Sequence, residues 1–242
     1  MKYLINTQVL IRIKFSRFLI KFSERVKPRF ILENILNKNF PVNSNFSFVQ
    51  IGAHDGKSFD FLYDFLKLRK CNGIVVEPIN FYFEKLVMNF SSFENVKAFN
   101  LAIHDSQSNV SIFRVASKHL DKYPDWAEGI SSVLLSHLDK FRIERSDIEE
   151  EVVPAVTLME LITLKPDLPP LDLIQIDVEG FDYEILKMID FREMKPSIIK
   201  FECVNLSSAD LNSSITLLRK NGYFVFQEMN DCIAINLKKI II

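Results

Sequence analysis

Between Phe46 and Gly56 the chain passes from a mainly apolar stretch, Phe46 to Ile51, directly into Gly52-Ala53-His54-Asp55-Gly56, and then sets Phe59, Leu62, Phe65 and Leu66 at helical spacing. A strand that ends in a glycine turn and feeds a helix is a βα unit, and the same pattern recurs downstream. Gly73 to Val76 is apolar and closes on Glu77-Pro78, where the proline disfavours helical geometry at the glutamate and so places Glu77 at a strand end. Phe81 to Phe90 reads as the next helix, Val96 to Ile103 as a third strand and turn, and Asn109 to Val115 as an additional strand. Leu171 to Ile176, between Pro169-Pro170 and Asp177-Val178-Glu179-Gly180, reads as a buried strand followed by a helix from Tyr183. Ser197 to Phe201 is another strand, closed by Glu202, and Tyr223 to Gln227 meets Cys232 to Leu237 as an antiparallel hairpin. Repeated βα units ahead of a hairpin predict an α/β fold, with a mostly parallel seven-stranded sheet, helices on both faces and a C-terminal antiparallel hairpin.

A chain of 242 residues, 48% hydrophobic, buries one full core more readily than two equal ones. The 30 basic and 31 acidic residues nearly cancel, which argues against nucleic acid as a partner. Their placement is uneven: residues 1–30 hold eight basic residues against Glu24 alone, leaving 22 basic against 30 acidic in the rest. Ile11, Phe15, Phe18, Leu19, Phe22 and Val26 share one helical face there, and Lys14, Arg17, Lys21 and Arg25 the other. Such a basic amphipathic helix either packs its aromatic face on the core or lies, through residues 11–30, on an anionic membrane surface. Residues 1–45 are therefore expected to form an N-terminal helical extension, and residues 46–242 the main domain. Within the latter, the polar segment 117–151, with Trp126 and Ser131-Ser132, is expected to be an insertion facing the substrate. Cys71, Cys203 and Cys232 are odd in number, widely spaced and lack a C-x-x-C pair, so no metal framework is expected and a cytoplasmic location is. Charges interrupt every apolar run near the N-terminus, so neither a spanning helix nor a signal peptide is expected.

In an open α/β sheet the ligand sits beyond the carboxyl ends of the strands, and here those ends are glycine-rich or acidic. A glycine pair alone is weak, because a tight turn needs glycine for steric reasons. Glu77, however, lies 21 positions beyond Gly56, where an acid can accept hydrogen bonds from ribose hydroxyls. The loop also lacks the third glycine of G-x-G-x-x-G, so a ligand with a ribose and no phosphates, such as S-adenosylmethionine, fits it better than a dinucleotide.

Three blocks give the sequence a specific resemblance: Phe48 to Gly56, Val75-Val76-Glu77-Pro78, and Leu173-Ile174-Gln175-Ile176-Asp177-Val178-Glu179-Gly180-Phe181-Asp182. From about Phe46 to Leu237 it resembles the FkbM family of S-adenosylmethionine-dependent methyltransferases, supported by Asn100-Leu101-Ala102-Ile103 and Val156-Thr157-Leu158. Many members carry an acid at Gln50, a lysine at Gln175 and an asparagine at His54. The resemblance implies a Rossmann-like methyltransferase fold and methyl transfer to a hydroxyl, on a sugar, a glycan or a secondary metabolite. The cofactor residues are then Gln50, Gly52, Ala53, His54, Asp55, Gly56, Glu77 and Pro78, with Ala102 and Ile103 beside the adenine.

The transfer requires alignment of an acceptor oxygen and removal of its proton, and no metal in principle. Asp177 and Glu179 are the candidates for that work and Glu202 a third; the plainer reading of each is an acid that caps a helix or binds loop amides. Of the four histidines, His54 is expected to support the cofactor. His104, His119 and His137 fit solvated or locally bonded imidazoles better than a catalytic base. Two other functions stand beside methyl transfer: an NAD(P)-dependent oxidoreductase, against which the missing glycine counts, and a non-catalytic module binding an adenosyl ligand, against which the strand-end acids count.

Overall fold

The computed structural model describes residues 31–58 and 61–242. The expected basic helix of residues 11–30 lies outside the described residues, as does the Trp126 side chain. Helix α1 (Ile31–Asn39) leads into β1 (Asn45–Ile51), α2 (Leu62–Leu66), β2 (Lys70–Val76), α3 (Asn80–Phe90) and β3 (Val96–Phe99). After a second set of elements come α5 (Leu158–Thr163), β8 (Leu173–Ile176), α6 (Asp182–Lys187), β9 (Ile198–Glu202), α7 (Ser208–Lys220) and the hairpin β10 (Phe224–Glu228) and β11 (Asp231–Ile235). The main sheet has seven strands in the order β10-β11-β9-β8-β1-β2-β3, parallel except where β11 runs against both its neighbours.

The strands read as near-continuous apolar runs because helices cover both faces. Phe46 and Phe48 of β1 point into a core shared with Leu32, Ile35 and Leu36 of α1 and with α2 and α3. The alternate residues Val49 and Ile51 point into the other core, against Leu158 and Leu161 of α5, Ile185 and Leu186 of α6 and Leu218 of α7. Residues 31–45 are thus continuous with the fold: Asn39 also donates to the carbonyl of Ile241 at 2.8 Å, tying α1 to the C-terminus.

Register is what matters for the site. Ile51 pairs with Val76 and with Ile176, and Ile176 with Phe201, so four parallel strands end in line. The residues that follow, Gly52, Glu77, Asp177 and Glu202, therefore face one crevice. Because the chain leaves β1 toward β2 and later returns as β8 on its other side, the crevice lies at the topological switch point.

A second sheet, in the order β4-β7-β5-β6, joins Ala102–Ile103 (β4), Ile148–Val156 (β7), Asn109–Val115 (β5) and Ser131–Ser132 (β6). The expected third strand accordingly splits, with β3 in the main sheet and β4 in this one. The segment 117–151 is folded around its own cluster of Val115, Ala127, Ile130, Leu138 and Ile143, carries α4 (Leu135–Asp139), and gives its last residues to β7. The acidic run Glu149-Glu150-Glu151 is strand because β5 neutralises it: Arg114 pairs with Glu149 and Glu151, and Ser111 hydrogen-bonds Glu150.

Candidate active site

At the end of β1 the amides of Gly52 and Ala53 both donate to the Val76 carbonyl, at 3.0 and 2.9 Å, turning the chain away from the sheet. Gly52 adopts φ +76, and a Cβ there would run into the backbone carbonyl oxygen of Asp177, so only glycine lets β1 and β8 end this close together. His54 is also left-handed, at φ +52, a conformation uncommon outside glycine and concentrated at functional sites. Its amide donates to Glu77 Oε2 at 2.9 Å and its ring lies on Tyr82 with centroids 3.9 Å apart. Burial pushes the His54 imidazole below its usual value, so the ring is neutral near pH 7.

Asp55 shapes the loop from behind the cavity. Its carboxylate accepts from the amides of Lys57 and Ser58, at 2.9 and 2.7 Å, and from the Ser58 hydroxyl at 2.7 Å. Partial burial works to raise its pKa, but these donors outweigh it and hold the acid below the usual range. Gly56 closes the turn with its amide on the Ala53 carbonyl at 2.7 Å and fits against Leu86 and Phe90 of α3.

Glu77 is 5% exposed, with Oε1 accepting from the Ile79 amide at 2.9 Å while Oε2 holds His54. Burial lifts its pKa to about 7, with the two amides pulling the other way. Asn100 fastens the strand end from the far side, its Nδ2 donating to the carbonyls of Glu77 and Pro78, each at 2.9 Å. A cavity of about 590 Å³ opens here, bordered by Gln50, Gly52, Ala53, His54, Glu77, Pro78, Ala102 and Ile103 on one side and by Asp177, Glu179 and Glu202 on the other. Gly129 to Val133 and Phe141 of the folded insertion also line it.

Carboxylate oxygens of Asp177, Glu179 and Glu202 lie within 4.8 Å of one another, a donor set that could hold a cation. Such crowding in a partly closed site favours shared protons. Asp177 is raised well above the usual carboxylate range by burial and then by Glu202, and Glu202 is raised to about 7 by burial and then by Glu179. Behind them Asp182, fully buried, is also raised, first by burial and then by Asp177.

Asn205 ties the group together: its Nδ2 donates to Glu179 Oε2 at 2.7 Å and to Glu202 Oε2 at 2.8 Å. His137 Nε2 lies 3.0 Å from the same Glu179 oxygen, and the Ser132 hydroxyl donates to the Glu179 carbonyl at 3.0 Å. Glu179 itself is left-handed, at φ +54. His104 instead stacks on Phe181 at 5.2 Å, and His119 lies 3.5 Å from Asp147.

The floor is a row across three strands: Gln50 is the register partner of Gln175, and Gln175 of Lys200. The commoner acid and lysine at positions 50 and 175 would therefore be direct neighbours. Two glutamines remove both charges together and leave neither buried alone. Among the described residues lining the cavity, Lys200 is the only one with a fixed positive charge, which fits a ligand without phosphates.

A Gly turn, a buried acid on the next strand and carboxylates across the switch point define a Rossmann-like α/β protein with a site for a ribose-bearing cofactor. The sequence profile of the Methyltransferase FkbM domain matches residues 50–225, and the chain belongs to that family. Its cofactor is S-adenosylmethionine. No curated protein matches the chain. Among solved structures, the methyltransferase FkbM of Methylobacillus flagellatus KT shares 14% identity over 79% of this chain and 44% of its own, with a TM-score of 0.48. This chain thus spans less than half the length of that protein. The precorrin-6y C5,15-methyltransferase of Geobacter metallireducens GS-15 shares 14% over 88% of this chain and 90% of its own, TM-score 0.42. Aeropyrum pernix fibrillarin, solved with S-adenosyl-L-methionine, shares 11% over 84% and 72%, TM-score 0.40. At such scores the family match, not the structural likeness, decides the class. No helix among the described residues is long and apolar enough to cross a membrane.

Proposed function

We propose that the protein transfers the methyl group of S-adenosylmethionine to a hydroxyl of a sugar, a glycan or a secondary metabolite. The observation that carries this reading is that the Gly52 turn with Glu77 and the Asp177, Glu179 and Glu202 carboxylates open onto one cavity. The glycine loop lets backbone approach the cofactor, Glu77 keeps lone pairs for ribose hydroxyls, and Ala102 and Ile103 offer an apolar flank for the adenine. Gln50 supports the loop from the floor, and Asp55 and Gly56 set its shape. When bound, the cofactor supplies a methyl group already activated on a sulfonium. The protein's own contribution is alignment and proton removal: Asp177 and Glu179 orient the acceptor hydroxyl and take its proton, with Glu202 adjacent.

Calorimetric titration tests the cofactor half, with micromolar binding of S-adenosylhomocysteine and none of NADH expected. Incubating glycan fractions with methyl-labelled cofactor tests the acceptor half. Label confined to amines or to protein, with none on hydroxyls, would overturn it.

A further inference from the structure

The Glu179 carboxylate is held asymmetrically. Both its donors, His137 Nε2 at 3.0 Å and Asn205 Nδ2 at 2.7 Å, converge on Oε2. Among the described residues nothing engages Oε1, although Glu179 borders the cavity. The backbone is fixed as well, since Glu179 sits at φ +54 with its carbonyl tied to Ser132. A left-handed conformation is strained for a non-glycine residue and persists only where surrounding contacts impose it. Ser132 and His137 both come from the insertion, on β6 and α4, so the segment expected to face the substrate supplies part of the clamp.

The tautomer of His137 follows from its surroundings. The side chain is 1% exposed, its ring packs edge-on against Phe141 with centroids 5.2 Å apart, and Nδ1 is buried with no hydrogen-bond partner among the described residues. A proton on Nδ1 would be a buried donor with nothing to receive it. The proton therefore resides on Nε2, where it meets the carboxylate, and His137 acts as a hydrogen-bond donor to Glu179 rather than an acceptor.

We propose that His137 is a positioning residue for methyl transfer: by donating Nε2–H to Glu179 Oε2 it turns the open Oε1 toward the acceptor hydroxyl. The proposal rests on the methyl-transfer reading of the site and adds to it a residue that touches no substrate. The acceptor proton passes to Glu179 Oε1, while His137 keeps its own proton throughout.

Two measurements test it. The first, on the wild-type protein with S-adenosylhomocysteine, is the ¹⁵N spectrum of the imidazoles. A His137 ring with hydrogen on Nε2 and none on Nδ1 is expected, and hydrogen on Nδ1 overturns the proposal. The second compares turnover of His137→Phe, which keeps a ring and loses the donor, with His137→Gln, whose amide can still donate. His137→Phe should lower kcat roughly tenfold or more, with acceptor KM and cofactor Kd within about twofold, and His137→Gln should recover most of the loss. Equal turnover in both variants, or a loss carried by cofactor Kd, overturns it. If wild-type protein binds the cofactor but labels no hydroxyl, the methyl-transfer reading fails on its own, and the tautomer still decides whether the clamp exists.

Discussion

Replacing Gly52 with alanine tests whether the closeness of β1 and β8 builds the site. Two costs add. An alanine at φ +76 is strained by about 1.5 kcal/mol. Its Cβ would also meet the Asp177 carbonyl, which is backbone and cannot swing away, so the strand ends must part and weaken the 3.0 Å bond from the Asp177 amide to the Ile51 carbonyl. Overpacking of that kind costs about 2–3 kcal/mol, for a total near 4 kcal/mol. At about 3 °C per kcal/mol for a domain of this size, Tm should fall by roughly 12 °C in differential scanning calorimetry. Gly222 is the control: its φ is +87, but a Cβ there would meet only the Lys195 Nζ at 3.8 Å. Gly222→Ala carries the strain alone, about 1.5 kcal/mol and roughly 4–5 °C. Gly52→Ala should also weaken S-adenosylhomocysteine binding, whereas Gly222→Ala should not. Equal Tm shifts in the two variants would refute the steric argument.

Glu77→Gln places an amide where two backbone N–H groups need acceptors, so calorimetry should show S-adenosylhomocysteine affinity reduced about tenfold or more, and unchanged affinity would remove Glu77 from the site. Asp177→Ala should retain cofactor binding and lose most turnover; full turnover would strip Asp177 of its assigned role. The folded-state pKa of Glu202, about 7, lies above its ordinary 4.5, so the unfolded chain releases its proton first and stability is lost as pH rises from about 4.5 to 7. Glu202→Gln should remove that slope and stabilise the protein at pH 8 by about 2 kcal/mol, discounted for partial exposure, in urea titrations; an unchanged slope would assign it to other groups.

The parallel core was legible because buried parallel strands announce themselves. Phe46 to Ile51, Leu173 to Ile176 and Ser197 to Phe201 are apolar runs that stop at glycine or acid, and the stops are the crevice. Glu149 to Glu151 hid a strand because their charges are met by Arg114 and Ser111, partners more than thirty residues away in sequence. Helices α5 and α7 did carry local signals, the reciprocal Thr157 and Glu160 capping box and Ser207 accepting from the Asp210 amide. His137 and Asn205 had none, and Ser132 only its place in the insertion expected to face the substrate. Each acquires its meaning from a tertiary contact with Glu179, and no periodicity or spacing encodes which insertion residue will touch a strand-end acid.

The pairing of Gln50 with Gln175 bears on how such a chain can change over time. The two positions lie 125 residues apart in the gene and side by side in the sheet. Gln50→Glu alone would bury a charge and Gln175→Lys alone would set one beside Lys200, each at a cost of about 3 kcal/mol, whereas the two together could form an ion pair. Passage between the neutral floor and the charged one is then a valley crossed by paired substitution, and the floor's chemistry is inherited as a single trait.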